Sequence, residues 1–211
     1  MRVPKTSSQL RRGSGRRAGF TLIETMIVVA LLGILLALAA PSMREMIEVR
    51  RLRAINAQLV TDLHLARTEA IARRTYGRID FNLDPALAMT CYTIYTAVDS
   101  FLGCNCSLGP GAACAGNPGA VEIRTVQVPK SSKVLLSIPP QRPLTWAMGF
   151  EPAMGSLVNL IVDTDPAALN KFKVDTKIDA DRSMRIEVGQ SGRPTVCAPA
   201  GSRIDLPSCN P

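Results

Sequence analysis

Apolar residues fall along this chain in three successive rhythms, and each predicts a different element. From Phe20 to Ala40 they form an almost unbroken run in which Glu24 is the one charged residue. A helix of that length reaches across the roughly 30 Å hydrocarbon core of a bilayer. From Pro41 to about Arg74 the run gives way to spaced apolar positions. Leu52, Ile55, Leu59, Leu63, Ala66 and Ala70 recur at three- and four-residue steps, one stripe of an amphipathic helix. The opposite face is assigned Arg51, Gln58, Asp62, Arg67, Glu69 and Arg73. A continuous helix from Phe20 to Arg74 would be about 80 Å long. Gly33 and Pro41 are its weak points, since one raises backbone entropy and the other lacks a donor.

Beyond Gly77 the rhythm shortens to runs of β-formers broken by turn residues. Candidate strands are Arg78–Asn82, Thr90–Ala97, Val121–Val128, Val134–Ile138, Leu157–Asp163, Ser183–Val188 and Thr195–Cys197. Alternation is plain in Val121-Glu122-Ile123-Arg124-Thr125-Val126-Gln127-Val128. Punctuation such as Gly109-Pro110-Gly111, Asn117-Pro118-Gly119 and Pro139-Pro140 separates these runs. The expected fold class is α+β: a long N-terminal helix, membrane-spanning in its first half, packed against an antiparallel sheet. The expected divisions are a leader at 1–19, an apolar helix at 20–40, its amphipathic continuation at 41–76, and a β-rich head at 77–211.

Charge sharpens the N-terminal picture. Arg2, Lys5, Arg11, Arg12, Arg16 and Arg17 precede the apolar run with no acid among them, so the formal +8 leaves +2 after Gly19. The basic balance is therefore mostly the leader's, and it is weak support for nucleic-acid binding. Those cations favour a cytoplasmic N-terminus, although Arg44, Arg50, Arg51 and Arg53 follow on the far side. An ordinary secretory signal is excluded by order, because its cleavage site follows the apolar stretch.

Gly19-Phe20-Thr21-Leu22-Ile23-Glu24, set between a basic leader and an apolar run, resembles the prepilin peptidase signature of type IV pilins and type II secretion pseudopilins. That resemblance implies a pilin-like fold, cleavage after Gly19 by a prepilin peptidase, and methylation of the new amine on Phe20. It implies that Glu24 pairs with the N-terminal ammonium of a neighbouring subunit during assembly. The segment Thr61–Arg74, with its Asp-Leu, Ala-Arg and Glu-Ala-Ile pairs, is similar to the branch holding the pseudopilin GspH and the minor pilins FimT and FimU. Ser191-Gly192-Arg193 followed by Cys197 also resembles that branch's C-terminal end. The implied protein is a structural subunit of a type II secretion pseudopilus or a type IV pilus, with no enzyme activity and no cofactor. Its implied partners are the peptidase, other pilins of the filament and an inner-membrane assembly platform, with the head in the periplasm.

Six cysteines, Cys91, Cys104, Cys106, Cys114, Cys197 and Cys209, suit an oxidising compartment and allow fifteen pairings. The resemblance implies Cys197–Cys209 as a C-terminal loop closure, leaving two bridges to pin the Gly-rich excursion from Asp99 to Ala120. A zinc site from Cys91, Cys104, Cys106 and Cys114 lacks paired C-x-x-C spacing. The lone His64 has no nucleophile motif beside it, so no catalytic residue is assigned. Asp163, Thr164 and Asp165, with Asp175, Asp179 and Asp181, read as a solvated acidic loop without EF-hand spacing. The alternative function is a DNA-binding minor pilin in natural DNA uptake. Some FimT-like relatives carry a Gly-Arg-x-Arg element there; here Thr195 replaces the second Arg, leaving Arg193 and Arg203, with Arg182 and Arg185, as candidate phosphate contacts.

Overall fold

The computed structural model describes residues 19–98, 103–139, 145–159 and 171–209. One helix, α1, runs from Leu22 to Arg73. The chain divides into two compact units, Met1–Met43 and Arg44–Pro211.

In the first unit, every large apolar side chain from Phe20 to Leu38 is between 47% and 79% exposed. Thr21 starts the helix: its carbonyl and hydroxyl oxygens accept from the Glu24 amide at 3.1 and 3.4 Å. Thr21 and Glu24 thus hold the N-cap and third-residue places of a capping pattern. Among the described residues no single helix is long and apolar enough to cross a membrane. Leu22–Leu38 meets that test only together with the helix continuing from Ser42.

The second unit is built on the helical stripe. Leu52, Leu59, Leu63, Ala66 and Ala70 are fully buried, and Ile55 packs partly exposed beside them. Among the described residues nine strands follow: β1 Tyr76–Asn82, β2 Met89–Ala97, β3 Ala120–Pro129, β4 Leu135–Ser137, β5 Thr145–Phe150, β6 Leu157–Asn159, β7 Lys171–Lys177, β8 Ser183–Gly189 and β9 Pro194–Cys197. They form two antiparallel sheets where one was expected, in the orders β3-β2-β1-β5-β6 and β4-β7-β8-β9. Ile79, Phe81, Ile94, Met148 and Phe150 of the first sheet and Phe172, Val174, Ile186 and Val188 of the second join the helical residues in one core. Phe81 stacks on Phe172 at 5.6 Å between ring centres, tying the sheets together.

All seven expected strand runs carry strand, and β5 and β7 were not anticipated. β5 is disguised by its setting, because Pro139, Pro140 and Pro143 precede it and Gly149 interrupts it. β7 reads Lys-Phe-Lys-Val-Asp-Thr-Lys with alternate residues buried. Its period of two was legible, but its charges drew the reading toward an acidic loop. The run expected to continue to Asp163 is strand through Asn159, and the rest lies outside the described residues.

Candidate functional site

The leader as far as Ala18 lies outside the described residues. Gly19 is exposed, and a Cβ built on it meets nothing within 4 Å. Glu24 is also exposed, in the first turn of α1. There the unpaired amides and the helix dipole favour a negative charge. Apart from Glu24 this helical surface is apolar, and an exposed apolar patch of that extent marks an interaction surface for lipid or protein.

The expected polar face of the helix contains an error that the fold exposes. Asp62 is fully buried, not on the solvent side. Its two oxygens accept from Tyr92 Oη at 2.6 Å and Arg124 Nη1 at 2.9 Å. A bulge makes this possible. The β2–β3 register shifts between Ile94 and Tyr95, so Arg124 pairs with Ile94 while Glu122 pairs with Tyr95. The extra residue, Ile123, turns Arg124 to the helix-facing side and leaves Glu122 on the other. His64, by contrast, is exposed.

The outer face of the first sheet is polar and lies under the cysteine-rich excursion. Asp80 Oδ2 accepts from Tyr95 Oη at 2.8 Å and from the Cys104 amide at 2.7 Å. Glu122 Oε1 accepts from the Gly111 amide, and Gln127 Nε2 donates to the Cys106 carbonyl. Disulfides Cys91–Cys106 and Cys104–Cys114 fasten the excursion, and Cys197–Cys209 closes the C-terminal loop. All six thiols are consumed, which removes the zinc alternative. The excursion's residues Asp99–Leu102 lie outside the described part.

The arginines considered for phosphate lie among acids, Arg182 and Arg203 lining one cleft with Asp179, Asp181 and Asp205. Arg185 binds Asp175 at 2.7 Å, Arg182 binds both Asp179 and Glu48, and Arg203 binds Asp181 at 3.0 Å. Asp179 and Asp181 share the β7–β8 turn and one cleft, each bound to an arginine, while Asp175 lies on β7, and Asp163 and Asp165 lie outside the described residues. Three of the four arginines considered for phosphate are already neutralised, and Arg193 stands exposed on the β8–β9 turn. Gly192 beside it has a structural duty. Its φ is +69°, and an added Cβ would lie 2.0 Å from the Gly155 carbonyl oxygen. Arg67 clasps the same place, donating from Nε to the Gly155 carbonyl at 2.9 Å. Sequence reasoning placed Arg67 on the solvent face and missed this clasp.

A family model described as the prokaryotic N-terminal methylation motif matches residues 14–40. The chain carries that motif at its N-terminus. The chain is also similar to two crystal forms of the type IV minor pilin FimU of Pseudomonas aeruginosa (strain PAO1). One shares 15% identity over 74% of this chain and 95% of that one, with a TM-score of 0.46. The other shares 14% over 73% and 98%, with a TM-score of 0.43. No curated protein matches the chain in sequence. The motif implies processing by a prepilin peptidase and assembly with other pilins.

Carboxylates of the second unit divide by environment. Hydrogen bonds from Lys133 and Arg182 hold Glu48 below its ordinary 4.5, and Arg182 holds Asp179 below 3.8. Burial pushes Asp80 the other way, outweighing its bonds to Cys104 and Tyr95. The stability that Glu48 and Asp179 contribute is present above those ordinary values and is lost as pH falls through their lowered ones. Asp80 has the opposite sign, since the fold favours its protonated form. Carboxyl-carbon NMR titration should show Glu48 and Asp179 titrating below the ordinary range and Asp80 above it. An Asp80 that titrates with the exposed acids would overturn this assignment.

Proposed function

We propose that this chain is a minor pilin or pseudopilin of the GspH/FimT type, made as a single-pass inner-membrane protein. Its N-terminus faces the cytoplasm and its head, 77–211, the periplasm. Prepilin peptidase cuts between Gly19 and Phe20 and methylates the Phe20 amine. The apolar segment then leaves the bilayer and joins sister helices in a type IV pilus or a type II secretion pseudopilus, guided by the assembly platform. One observation carries this reading: the methylation motif runs directly into a helix whose apolar side chains from Phe20 to Leu38 are all exposed. Hydrocarbon and a helical bundle are both adequate covers for that surface, so transfer between them sacrifices little apolar burial.

Glu24 sets the register in this mechanism. An ionisable side chain in hydrocarbon costs on the order of 2.5–3.5 kcal/mol on insertion scales, and a neighbour's ammonium offsets much of that. Glu24→Ala is expected to be processed normally while its incorporation into filaments falls by about tenfold or more, the equivalent of about 1.4 kcal/mol. Gly19→Lys is expected to retain the leader, read as the intact mass of the membrane-extracted chain. Normal incorporation of Glu24→Ala would refute the pairing, and a mature N-terminus other than Phe20 would refute the cleavage site.

A further inference from the structure

Arg44, Arg50, Arg51 and Arg53 lie beyond the methylation motif at 14–40 and place four cations within ten residues of α1. They are unusual among the charges at their end of the head. Glu48 is held by Lys133 at 2.6 Å and by Arg182 at 2.8 Å. Asp179 has Arg182, and Asp181 has Arg203. Among the described residues no carboxylate lies within ion-pair distance of Arg44, Arg50 or Arg53, while Arg51 donates to the Ser132 carbonyl at 3.2 Å. Glu45 and Asp205, which line one cleft with Arg53, are the nearby acids left without an ion pair among the described residues, two against Arg44, Arg50 and Arg53.

The same stretch of helix is amphipathic in a particular way. Val49 and Leu52 turn into the core. Met46 and Ile47 face outward, each 50% exposed, and Arg50 follows them one turn later. Apolar side chains flanked by guanidinium groups suit the boundary between headgroups and acyl chains. Guanidinium meets phosphate and carboxylate oxygens alike, so the exposed Met46 and Ile47 between the cations are what favour a lipid surface over an acidic protein face.

We propose that the head docks on an anionic phospholipid surface through Arg44, Arg50, Arg51 and Arg53, with Met46 and Ile47 entering the headgroup layer. This rests on the reading above that Phe20–Ala40 lies in the bilayer, because Arg44 follows Ala40 by four residues. Docking would hold an unassembled subunit's head against the membrane, and extraction into a filament would have to release it. A cation near an anionic surface gains about 1 kcal/mol. Each arginine is therefore expected to change the docked-to-undocked ratio about fivefold.

The test uses the full processed chain in lipid nanodiscs at one chain per disc. Ala57→Cys, an exposed helix position, carries a fluorescent donor and the lipid headgroups carry the acceptor. Replacing one-third of the phosphatidylcholine by phosphatidylglycerol is expected to raise energy transfer, and salt raised from roughly 50 to 500 mM to reverse it. Arg50→Gln with Arg53→Gln is expected to weaken the lipid response about 25-fold, while Arg73→Gln leaves it unchanged. Equal transfer in neutral and anionic discs overturns the proposal, as does a full response in the double variant. A response that appears only with two chains per disc assigns the patch to a second copy and also overturns it. Failure of the chain to co-purify with discs at all refutes the membrane reading instead.

Discussion

Asp62→Ala is expected to lower the head's unfolding free energy by about 3 kcal/mol. Removing one partner of a buried ion pair typically costs 3–5 kcal/mol, because the other charge loses its compensation. Here the carboxylate is wholly buried but Arg124 is 48% exposed, so the freed guanidinium can turn to water. That places the effect at the low end of the range. Tyr92 cannot escape in this way: its hydroxyl would stay buried without its 2.6 Å acceptor, a penalty of about 1–3 kcal/mol by itself. Urea unfolding of the detergent-solubilised chain with disulfides intact, followed by near-ultraviolet circular dichroism, measures it. Arg124→Ala combined with Asp62→Ala should cost less than the sum of the two, since both act on one interaction. Strict additivity would show that the contact contributes nothing.

Gly77→Ala is expected to cost about 3 kcal/mol for a reason of space. A Cβ at Gly77 would lie 2.3 Å from the Ala66 carbonyl oxygen and 2.9 Å from the Ala70 Cβ. Neither obstacle is the end of a flexible side chain, so β1 must lift away from the helix. Overpacking of this kind costs about 1–3 kcal/mol, and more where backbone has to move. Gly116→Ala is the matched control, with nothing within 4 Å of its new methyl. It should stay within about 0.5 kcal/mol of the parent. An equally harmless Gly77→Ala would mean that the helix and β1 are not in direct contact in solution.

The helical stripe was legible because burial on a helix repeats every three to four residues, and Leu52, Leu59, Leu63, Ala66 and Ala70 all reach zero exposure. Strand positions were legible where β-formers are flanked by turn residues, as in β2 and β3. The same local reasoning misplaced Asp62 and Arg67. A helix face defined by residue type cannot show that Tyr92, thirty residues on, brings a hydroxyl to meet a carboxylate. Nor can it show that the Gly155 carbonyl waits for a guanidinium. The bulge that aims Arg124 is a property of two strands paired, and along β3 alone it shows only as a slip of the apolar phase from Val121 and Ile123 to Val126 and Val128.

By itself, then, the order of residues determined the processing motif, the apolar helix behind it, the second half's buried stripe and most strands. These are local properties, set by neighbours a few positions apart. The tertiary structure decided the rest: the split into two sheets, the pairing of Cys91 with Cys106 and Cys104 with Cys114, the burial of Asp62, and the neutralisation of Arg182, Arg185 and Arg203. Each depends on groups brought together from distant parts of the chain, where charge and space are settled only once the partners have met.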